Sequence, residues 1–311
     1  STWQSGTVSS PLSFRGYKTS IGDLDNRPAS QLVSGTDLPL IQSTNGSYYP
    51  SINAFRHVWE NIAFESTSYR PAAYVVTSYS IWRRCRFYSD SSYGVINRPG
   101  GDNTHMHECY FISPSGTAPV DSSNSTTFSS CVFDGITTIN SYEYFGLTNS
   151  IIKNTTSDGL TLTGFGWLNI EGNTFYNING NAITMSSIYA ARQPSVISNN
   201  VFHTVSGNAI QANSISRFQV FSQNNLFYNV TGSNVANDGF GMSRDEQNDS
   251  TDPFVDAAAG DYSLVSGSNG YNNAAPKPFE VFDVNSNRDI GAIQHQDPSG
   301  GGGSTFHPLA Q

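Results

Sequence analysis

The sequence SNNVF at residues 198–202 returns as QNNLF at residues 223–227, and both are copies of a pattern that recurs along the chain. Each copy ends in a large apolar residue. These end residues are Phe64, Phe87, Phe111, Phe133, Ile152, Phe175, Phe202 and Phe227. The steps between them run from 19 to 27 residues, a length typical of one turn of a solenoid built from short strands.

A second column of residues lies two positions before the first. It reads Ile62, Cys85, Cys109, Cys131, Ser150, Asn173, Asn200 and Asn225. Residues two apart on a strand point to the same face, so both columns are predicted to point inward and to stack about 4.8 Å apart. The sequence therefore predicts an all-β fold, a single-stranded parallel β-helix with aromatic and asparagine ladders inside it.

The three cysteines occupy this second column on consecutive turns. A disulfide framework would use an even number of cysteines at separated loop positions. We therefore expect Cys85, Cys109 and Cys131 to be buried free thiols. A metal or redox site is the alternative, and neighbouring histidines do not form a ligand pattern around them.

The position between the two columns is predicted to face outward. It reads Ala63, Arg86, Tyr110, Val132, Ile151, Thr174, Val201 and Leu226. The later residues are too apolar for open solvent, so a cover is expected. Either a neighbouring subunit, for instance in a trimer, or a returning segment of the same chain would provide it. In the first case Tyr110, Val132, Ile151, Val201 and Leu226 would form the interface.

Four regions follow from these patterns. Residues 1–50 are expected to form irregular capping turns, 51–235 the parallel β-helix core, 236–296 a closing region and 297–311 a glycine-rich tether with a tail. Gly300 to Gly303 are consecutive, which is typical of a flexible linker. Phe306 and Leu309 in the tail would be anchors if it docks on a partner.

Composition limits the classes of partner. Charged residues make up 13% of the chain, against about 25% in a typical domain, and the net charge is −9. A nucleic-acid surface needs clustered basic residues, so no nucleic-acid partner is expected. The sequence has no apolar segment of membrane-spanning length, so no membrane insertion is expected either.

Over residues 50–235 the stacked N-N-x-F turns resemble right-handed parallel β-helix repeat proteins of the pectate-lyase-like superfamily. The opening SFRGY (13–17) and the segments DPFVD (252–256), GDYSL (260–264) and DIGA (289–292) are similar to parts of secreted or surface β-helix proteins. The resemblance implies a right-handed helix. It does not fix the activity, because the superfamily includes lyases, hydrolases, phage tailspikes and non-catalytic adhesins.

Lyases on this fold need a basic residue to abstract a sugar proton and acidic residues to hold calcium or the uronate. The best candidates lie between Arg83 and Glu108, with Arg84, Arg86 and Glu108 as the catalytic residues. Arg84 and Glu108 stack on adjacent turns, so a structural ion pair is the competing interpretation. A hydrolase would need clustered aspartates, for which the sources are Asp158, Asp238, Asp245 and Asp249.

Two further sets of residues are candidate binding sites, one for calcium and one for glycans. Asp283, Asn285, Asn287 and Asp289 alternate like the start of a calcium loop but lack its glycine and distal glutamate, so we expect no cofactor, with calcium as the one alternative. Exposed tyrosines favour glycan binding, and the candidates are Tyr88, Tyr93, Tyr142 and Tyr144.

We therefore expect a non-catalytic β-helix that is extracellular, at a cell surface or on a virion exterior, and that serves structural display or glycan binding. A phage head-decoration or fibre-like protein is the first form of this hypothesis, and a bacterial surface adhesin is the second. The expected partners are further copies of the chain, a larger assembly such as a capsid, or surface glycans. The alternative is an enzyme of the same fold, a polysaccharide lyase or a glycoside hydrolase.

Overall fold

The computed structural model describes residues 12–16, 38–43, 51–52, 56–67, 71–75, 79–89, 96–97, 103–122, 125–186, 195–213, 220–236, 242–271, 273–274 and 289–293. These residues form a parallel β-solenoid with three strands to most turns, and they include no α-helix. The predicted all-β fold is confirmed.

The solenoid has three faces. Face 1 contains β1 (Leu12–Arg15), β4 (His57–Glu60), β7 (Ser80–Arg83), β10 (Thr104–His107), β13 (Thr126–Ser129), β20 (Ser195–Ser198), β23 (Val220–Gln223) and β26 (Met242–Arg244). Face 2 contains β2 (Leu40–Ser43), β5 (Ala63–Ser66), β8 (Arg86–Ser89), β11 (Tyr110–Ile112), β14 (Val132–Asp134), β16 (Ile151–Thr155), β18 (Thr174–Ile178), β21 (Val201–Val205), β24 (Leu226–Val230) and β27 (Gln247–Asn248).

Face 3 contains β3 (Ser51–Ile52), β6 (Ala73–Val75), β9 (Ile96–Asn97), β12 (Val120–Ser122), β19 (Ile183–Ser186), β22 (Ile210–Asn213) and β25 (Val235–Ala236). Two long strands, β15 (Ile139–Thr148) and β17 (Leu160–Glu171), run from face 3 into face 1. They join those two faces into one 17-stranded sheet, while face 2 is a separate sheet of ten strands.

The predicted aromatic column fills the interior behind face 2. Successive rings stack nearly parallel, with centroids 5.3 Å apart for Phe64 and Phe87, 5.1 Å for Phe87 and Phe111, and 4.6 Å for Phe111 and Phe133. All three strand pairs are parallel and in register. The aromatic ladder read from the sequence is therefore the core of the solenoid.

The second predicted column lies beside the first, and its residues change from cysteine to asparagine along the solenoid. Cys85, Cys109 and Cys131 are free and buried, and the Sγ of Cys109 lies within hydrogen-bonding distance of the Trp82 carbonyl oxygen at 3.6 Å. Burial raises the pKa of the thiols of Cys85 and Cys109, so they remain protonated. The interpretation of these residues as packing thiols agrees with this geometry.

Amides replace the thiols in the later turns. The Nδ2 of Asn173 donates to Oδ1 of Asn200 at 2.9 Å, and the Nδ2 of Asn200 donates to Oδ1 of Asn225 at 3.0 Å. The last member is Glu246, whose Oε2 accepts from the backbone N–H of Asn225 at 2.7 Å. Burial raises the pKa of the Glu246 carboxyl. A buried column of amides is stable here because each one satisfies its neighbour.

The bend between face 1 and face 2 is made by one residue per turn in the left-handed conformation. These residues are Asn61, Arg84, Glu108, Ser130, Asn149, Gly172, Asn199, Asn224 and Asp245, with φ from 49° to 66°. The backbone N–H groups point along the solenoid axis, and that of Arg84 donates to the carbonyl of His107 at 3.0 Å. Asparagine tolerates this conformation best after glycine, which explains why Asn recurs just before the inward amide column.

The apolar outward column of face 2 is covered by the chain itself. We name residues 252–271, 273–274 and 289–293 the C-terminal strap; it includes β28 (Phe254–Asp256), a 3₁₀ turn (Ala257–Ala259) and β29 (Asp261–Leu264). Its buried side chains form one cluster with the outward residues of face 2: Tyr110, Val132, Ile151, Val201, Leu226, Phe254, Tyr262, Leu264, Ile290 and Ala292.

Hydrogen bonds and close packing hold the strap in place. The backbone N–H of Gly291 donates to the Asn199 carbonyl at 2.8 Å, and that of Ala292 donates to Oγ1 of Thr174 at 3.2 Å. Gly291 has φ 110°, and a β-carbon there would lie 2.9 Å from Cγ2 of Val201. Of the two covers that the sequence allowed, a neighbouring subunit or a returning segment, the structure shows the returning segment. The outward side chains of face 2 are buried within a single chain.

The ordered turns extend beyond the predicted core of residues 51–235. β1 and β2 pair in register with β4 and β5, and β26 and β27 pair with β23 and β24. The sequence analysis assigned these end turns to irregular caps and to the closing region, because they lack the phenylalanine that marks the others. Ile41 and Asn248 occupy the equivalent positions. Phe306, Leu309 and the glycine-rich tether lie outside the described residues.

Candidate functional site

Charged residues concentrate on the outer surface of face 1 in the first turns. The register of β1, β4, β7 and β10 places Arg15, Glu60, Arg83 and His107 side by side. Glu60 lies between two arginines, 2.8 Å from Nε of Arg15 and 3.3 Å from Nη1 of Arg83. Its side chain is 8% exposed, while that of Arg83 is 52% exposed. The carboxylate is thus enclosed, and the Arg83 guanidinium presents part of its surface to solvent.

Two imidazoles continue this surface on β10. Nδ1 of His105 lies 2.6 Å from Oγ1 of Thr127, and Nδ1 of His107 lies 2.9 Å from Oγ of Ser129. Desolvation by the neighbouring side chains lowers the pKa of His105, so the ring is neutral at neutral pH. A neutral, exposed imidazole can donate one hydrogen bond and accept another.

The predicted pair Arg84 and Glu108 lies at the corner between faces 1 and 2. Glu108 contacts Nε2 of His107 at 3.3 Å. The hydrogen bond from His107 lowers the pKa of Glu108 against the opposing effect of burial, and the charges of Arg84 and Arg83 lower it further. Glu108 is therefore an ionised carboxylate whose close partner is His107, while Arg84 acts on it through its charge.

Arg86 lies on face 2, beyond the corner that holds Arg84. Its guanidinium pairs with Glu65 and lies 5.1 Å from the ring centroid of Tyr88. The side chain is only 9% exposed. The left-handed bend at Arg84 separates the two arginines that the sequence grouped with Glu108, so the three candidate catalytic residues do not converge on one point.

A residue pair that the sequence did not suggest lies at the opposite edge of face 1. Arg56 and Tyr79 are left-handed residues just before β4 and β7, with φ 60° and 62°. The Arg56 guanidinium carbon lies 5.8 Å from the Tyr79 ring centroid, and Tyr79 is 54% exposed. Such a residue leaves no periodic signal because it belongs to the bend rather than to a strand.

Among the tyrosines proposed for glycan binding, Tyr144 is 40% exposed and lies on the face 1 end of β15. Tyr88 is partly buried beside Arg86. Tyr142 belongs to β15, but its side chain lies outside the described part of the structure, as does all of Tyr93.

The aspartates proposed for a hydrolase serve separate local turns. Asp158 accepts from the Asn181 backbone N–H at 2.9 Å, and Asp249 accepts from Oγ of Ser268 at 2.6 Å. Asp245 lies 3.3 Å from Nε of Arg244, and Asp238 lies outside the described residues. The proposed pattern of clustered carboxylates is therefore absent from the described aspartates, because hydrogen bonding fixes each one in a different bend.

Of the calcium candidates, Asp283, Asn285 and Asn287 lie outside the described residues, and Asp289 is buried in the strap, with 2% of its surface exposed. The ranges that the structure describes contain no group of three His, Cys, Asp or Glu side chains arranged to hold a metal ion. Within the same ranges, no helix has the length and apolar character needed to cross a membrane.

We compared the chain with protein family profiles, with curated proteins and with solved structures. No protein family profile matches the chain, and no curated protein matches it. Among solved structures, the crystal structure of the pectate lyase Pel9A is similar with a TM-score of 0.42 and 11% sequence identity, over 95% of this chain and 85% of that one. The strand register described above confirms the parallel β-helix predicted from the sequence, and the likeness to this lyase says nothing about activity.

We name Arg56, Tyr79, Arg83, His105, His107 and Glu108 the basic stripe. It crosses the outer surface of face 1 on three consecutive turns. It combines guanidinium groups, imidazoles, one carboxylate and an exposed phenol ring on rigid strands and their bends. The guanidinium groups can donate hydrogen bonds to hydroxyl and carboxylate oxygens, and the Tyr79 ring can pack against the C–H faces of a sugar. His107 and Glu108 pair with each other.

Proposed function

We propose that this protein is a non-catalytic, extracellular or virion-exterior β-helix that binds glycans through the basic stripe. The observation that carries the proposal is the stripe itself, which gathers exposed cationic, imidazole and aromatic groups in a chain of net charge −9. Local charge on a rigid face acts on a ligand more strongly than the average charge of the molecule does.

The chemistry of the stripe suits a carbohydrate. Arg83 is half exposed and anchored by Glu60 at 3.3 Å, so part of its guanidinium can bind hydroxyl or carboxylate oxygens while the rest is held in place. Tyr79 offers an exposed ring whose neighbour Arg56 is a cation. Because these groups belong to ordered turns, binding requires little loss of conformational freedom.

The non-catalytic part of the proposal is supported by the partners of the candidate catalytic groups. Arg86 pairs with Glu65 on face 2, and Glu108 pairs with His107 at the corner. An acid and a base that work together must reach one reacting centre. Here Arg84 lies at the corner and the nearly buried Arg86 lies on face 2, which suits a structural and binding role better than proton abstraction.

The same reasoning supports our proposal of a location outside the cell or on a virion. A stiff solenoid with a binding face suits display at a surface, in a phage head-decoration or fibre-like protein first and in a bacterial adhesin second. Detection of the chain in purified particles or in a surface fraction by mass spectrometry would support this location. Recovery only from the cytosol would contradict it.

The binding proposal is tested on an array of defined oligosaccharides, followed by calorimetry with the best ligand. We expect binding by the wild-type chain and a loss of about tenfold in affinity for Arg83→Ala. Asn213→Ala, at an exposed residue of face 3, is the control and should bind normally. Binding that is equally strong in Arg83→Ala would remove the stripe from the proposal, and absence of any glycan ligand would overturn it.

A polysaccharide lyase is the second candidate, and it is favoured by His105. This residue is exposed and its pKa is lowered. On the neighbouring strand it pairs with Ile81, two positions before Arg83. A neutral imidazole can accept a proton from a sugar carbon bearing a carboxylate, and a guanidinium on the same face can hold that carboxylate. Incubation with uronate polymers, monitored by the absorbance of unsaturated products, decides between the two. Product formed by the wild type and lost in His105→Gln would replace the binding proposal with the lyase.

A further inference from the structure

The edge between face 3 and face 1 carries a second set of exposed aromatic residues, further along the solenoid than the basic stripe. The pairing of β4, β7, β10, β13, β15 and β17 aligns one residue per turn along this edge. In order these residues are Arg56, Tyr79, Asn103, Ser125, Tyr144 and Trp167. Aromatic residues therefore lie on both sides of a short polar stretch formed by Asn103 and Ser125.

Tyr144 and Trp167 are neighbours in register, and both point outward. The residues that follow them, Phe145 and Leu168, are fully buried, and side chains alternate across a strand. Tyr144 is 40% exposed and Trp167 is partly exposed. We name Tyr144 and Trp167 the aromatic platform.

The backbone around the platform positions the tyrosine ring. The register between β15 and β17 shifts on both sides of Glu143, so that Gly166 is an extra residue opposite the ring. A β-carbon built on Gly166 would lie 3.8 Å from Cζ and 3.9 Å from Cε1 of Tyr144. The ring thus lies over a glycine, and a bulge of this kind directs a side chain to a new position. The glycine supports the ring from beneath and the exposed part faces solvent.

Among the described side chains, the outward-facing residues that follow the platform along its strands carry no charge. Two positions further along their strands, the outward-facing neighbours are Thr127, Gly146 and Asn169. Gly146 presents no side chain, and the methyl group of Thr127 would lie 3.0 Å from a β-carbon there. The surface next to the rings therefore has no protruding side chain at Gly146. The amide of Asn169 lies on one side of Gly146 and the hydroxyl-bearing Thr127 lies on the other.

We propose that the aromatic platform is a carbohydrate subsite for an extended, neutral chain of β-linked pyranoses lying along the solenoid axis. This inference rests on the proposed glycan-binding function and adds to it a second position and a ligand class. Tyr144 and Trp167 lie on paired strands, whose backbones are about 4.8 Å apart. This strand spacing is close to the length of one sugar in an extended chain, so the two rings can pack against the C–H faces of successive sugars. Asn169 and Ser125 supply hydrogen bonds to hydroxyl groups, and the absence of charge among Ser125, Thr127, Gly146 and Asn169 favours neutral sugars over uronates.

Trp167 provides its own signal for the test. Trp59 and Trp82 are buried and stacked on each other, with centroids 5.4 Å apart, so a ligand on the surface changes their emission little. Trp3 lies outside the described residues and is replaced in a Trp3→Phe background. Titration of that background with cellohexaose should change the tryptophan emission to saturation, and calorimetry should give the same affinity.

The decisive variants are Tyr144→Ala and Trp167→Ala, each expected to weaken cellohexaose binding about tenfold. Tyr144→Phe keeps the ring and should restore most of the affinity. Asn213→Ala on face 3 is the control, and thermal unfolding checks that every variant is folded. If Tyr144→Ala lowers the unfolding temperature, the less drastic variant Tyr144→Leu takes its place.

The outcomes separate this inference from the proposed function. Loss in the platform variants with normal binding in Arg83→Ala supports the platform as a subsite of its own. Normal binding in the platform variants, or failure of cellohexaose to bind while the glycan array finds a ligand that needs Arg83, overturns the platform and leaves the basic stripe standing. Failure of every glycan to bind overturns both.

Discussion

Faces 1 and 2 are built from the same turns of the same chain, yet their outward-facing residues have opposite surroundings. On face 2, Val132, Val201 and Leu226 point away from the solenoid interior and are at most 2% exposed, because the C-terminal strap lies over them. On face 1, Arg83 and His107 occupy the corresponding outward positions and keep 52% and 44% of their side chains exposed.

An outward-facing position on a strand is therefore not necessarily exposed to solvent. Apolar residues on face 2 predict a cover, and the structure supplies it from a later segment of the chain, such as Gly291 against Val201 and Gly270 against Leu226. Polar and charged residues on face 1 are the surface that remains available to a ligand. The strap therefore covers the outward residues of face 2 and leaves the charged residues of face 1 open to solvent.

The strongest test of this contrast places one charge on each face. Val201→Asp puts a carboxylate under the strap at a residue that is 0% exposed, and we expect the free energy of unfolding to fall by about 3 kcal/mol or more. Thr127→Asp puts the same group on face 1, where water solvates it, and should change stability by less than about 0.5 kcal/mol. Guanidinium chloride unfolding measures both. Equal losses would mean that the two faces do not differ as described.

A smaller effect concerns the histidine that the strap covers. His203 lies 3.1 Å from Asp252 of the strap, with Tyr176 and Tyr228 at ring centroid distances of 5.0 and 4.8 Å and Phe254 stacked at 5.0 Å. Burial lowers the pKa of His203, and the attraction of Asp252 only partly opposes this.

A histidine whose pKa is lower in the folded chain than in the unfolded chain stabilises the fold fully above its ordinary pKa. That contribution is lost as the pH falls through the folded pKa. Between about pH 7.5 and about pH 5, we expect the wild type to lose on the order of 1 kcal/mol more than His203→Gln. His107→Gln on face 1 serves as the control. A pH dependence unchanged by His203→Gln would show that the strap does not desolvate this ring.

The ion-pair row of face 1 should contribute less than the strap does. Glu60→Gln removes the carboxylate shared by Arg15 and Arg83, whose side chains are 42% and 52% exposed. Because the arginines are solvated, we expect a loss of about 1 kcal/mol or less, decreasing with added salt. Chemical unfolding at low and high salt measures this. A large loss that salt does not reduce would show that the row is buried.

Among these variants, Arg83→Ala is expected to have the smallest effect on stability and the largest effect on glycan binding. Arg83→Ala removes an exposed guanidinium and should change the free energy of unfolding by about 0.5 kcal/mol or less, while it weakens glycan binding. Comparison of unfolding curves with calorimetric titrations separates the two quantities. If stability and binding fell together, the basic stripe would be part of the framework rather than a ligand surface.

Much of the fold was readable from the sequence because the ladder repeats a local pattern. The Phe column, the thiols of Cys85 and Cys109 and the amides of Asn173 and Asn200 all lie where their spacing placed them. The end turns were not found, since Ile41 and Asn248 interrupt the pattern that identifies the others. Sequence periodicity detects a turn only when that turn carries the marker residue.

The candidate site was only partly readable. Arg84 and Glu108 each come directly before a cysteine of the second column. This spacing correctly predicted that they lie on adjacent turns, where the backbone N–H of Arg84 donates to the carbonyl of His107. The same spacing could not show that the left-handed bend at Arg84 sends Arg86 to another face, or that Glu108 pairs with His107. Tyr79 and Trp167 were not found either, because bends and bulges break the alternation from which outward positions are inferred.

The inner columns, the length of each turn and the need for a cover on face 2 can be read from the residue pattern, since they depend on neighbours that recur at nearly constant spacing. The identity of the cover and the set of outward residues that stay exposed are set by three-dimensional packing. Those outcomes depend on contacts between distant segments, as between Gly291 and Val201 or Asp252 and His203. Their free energy comes from shape and burial, which no local pattern records.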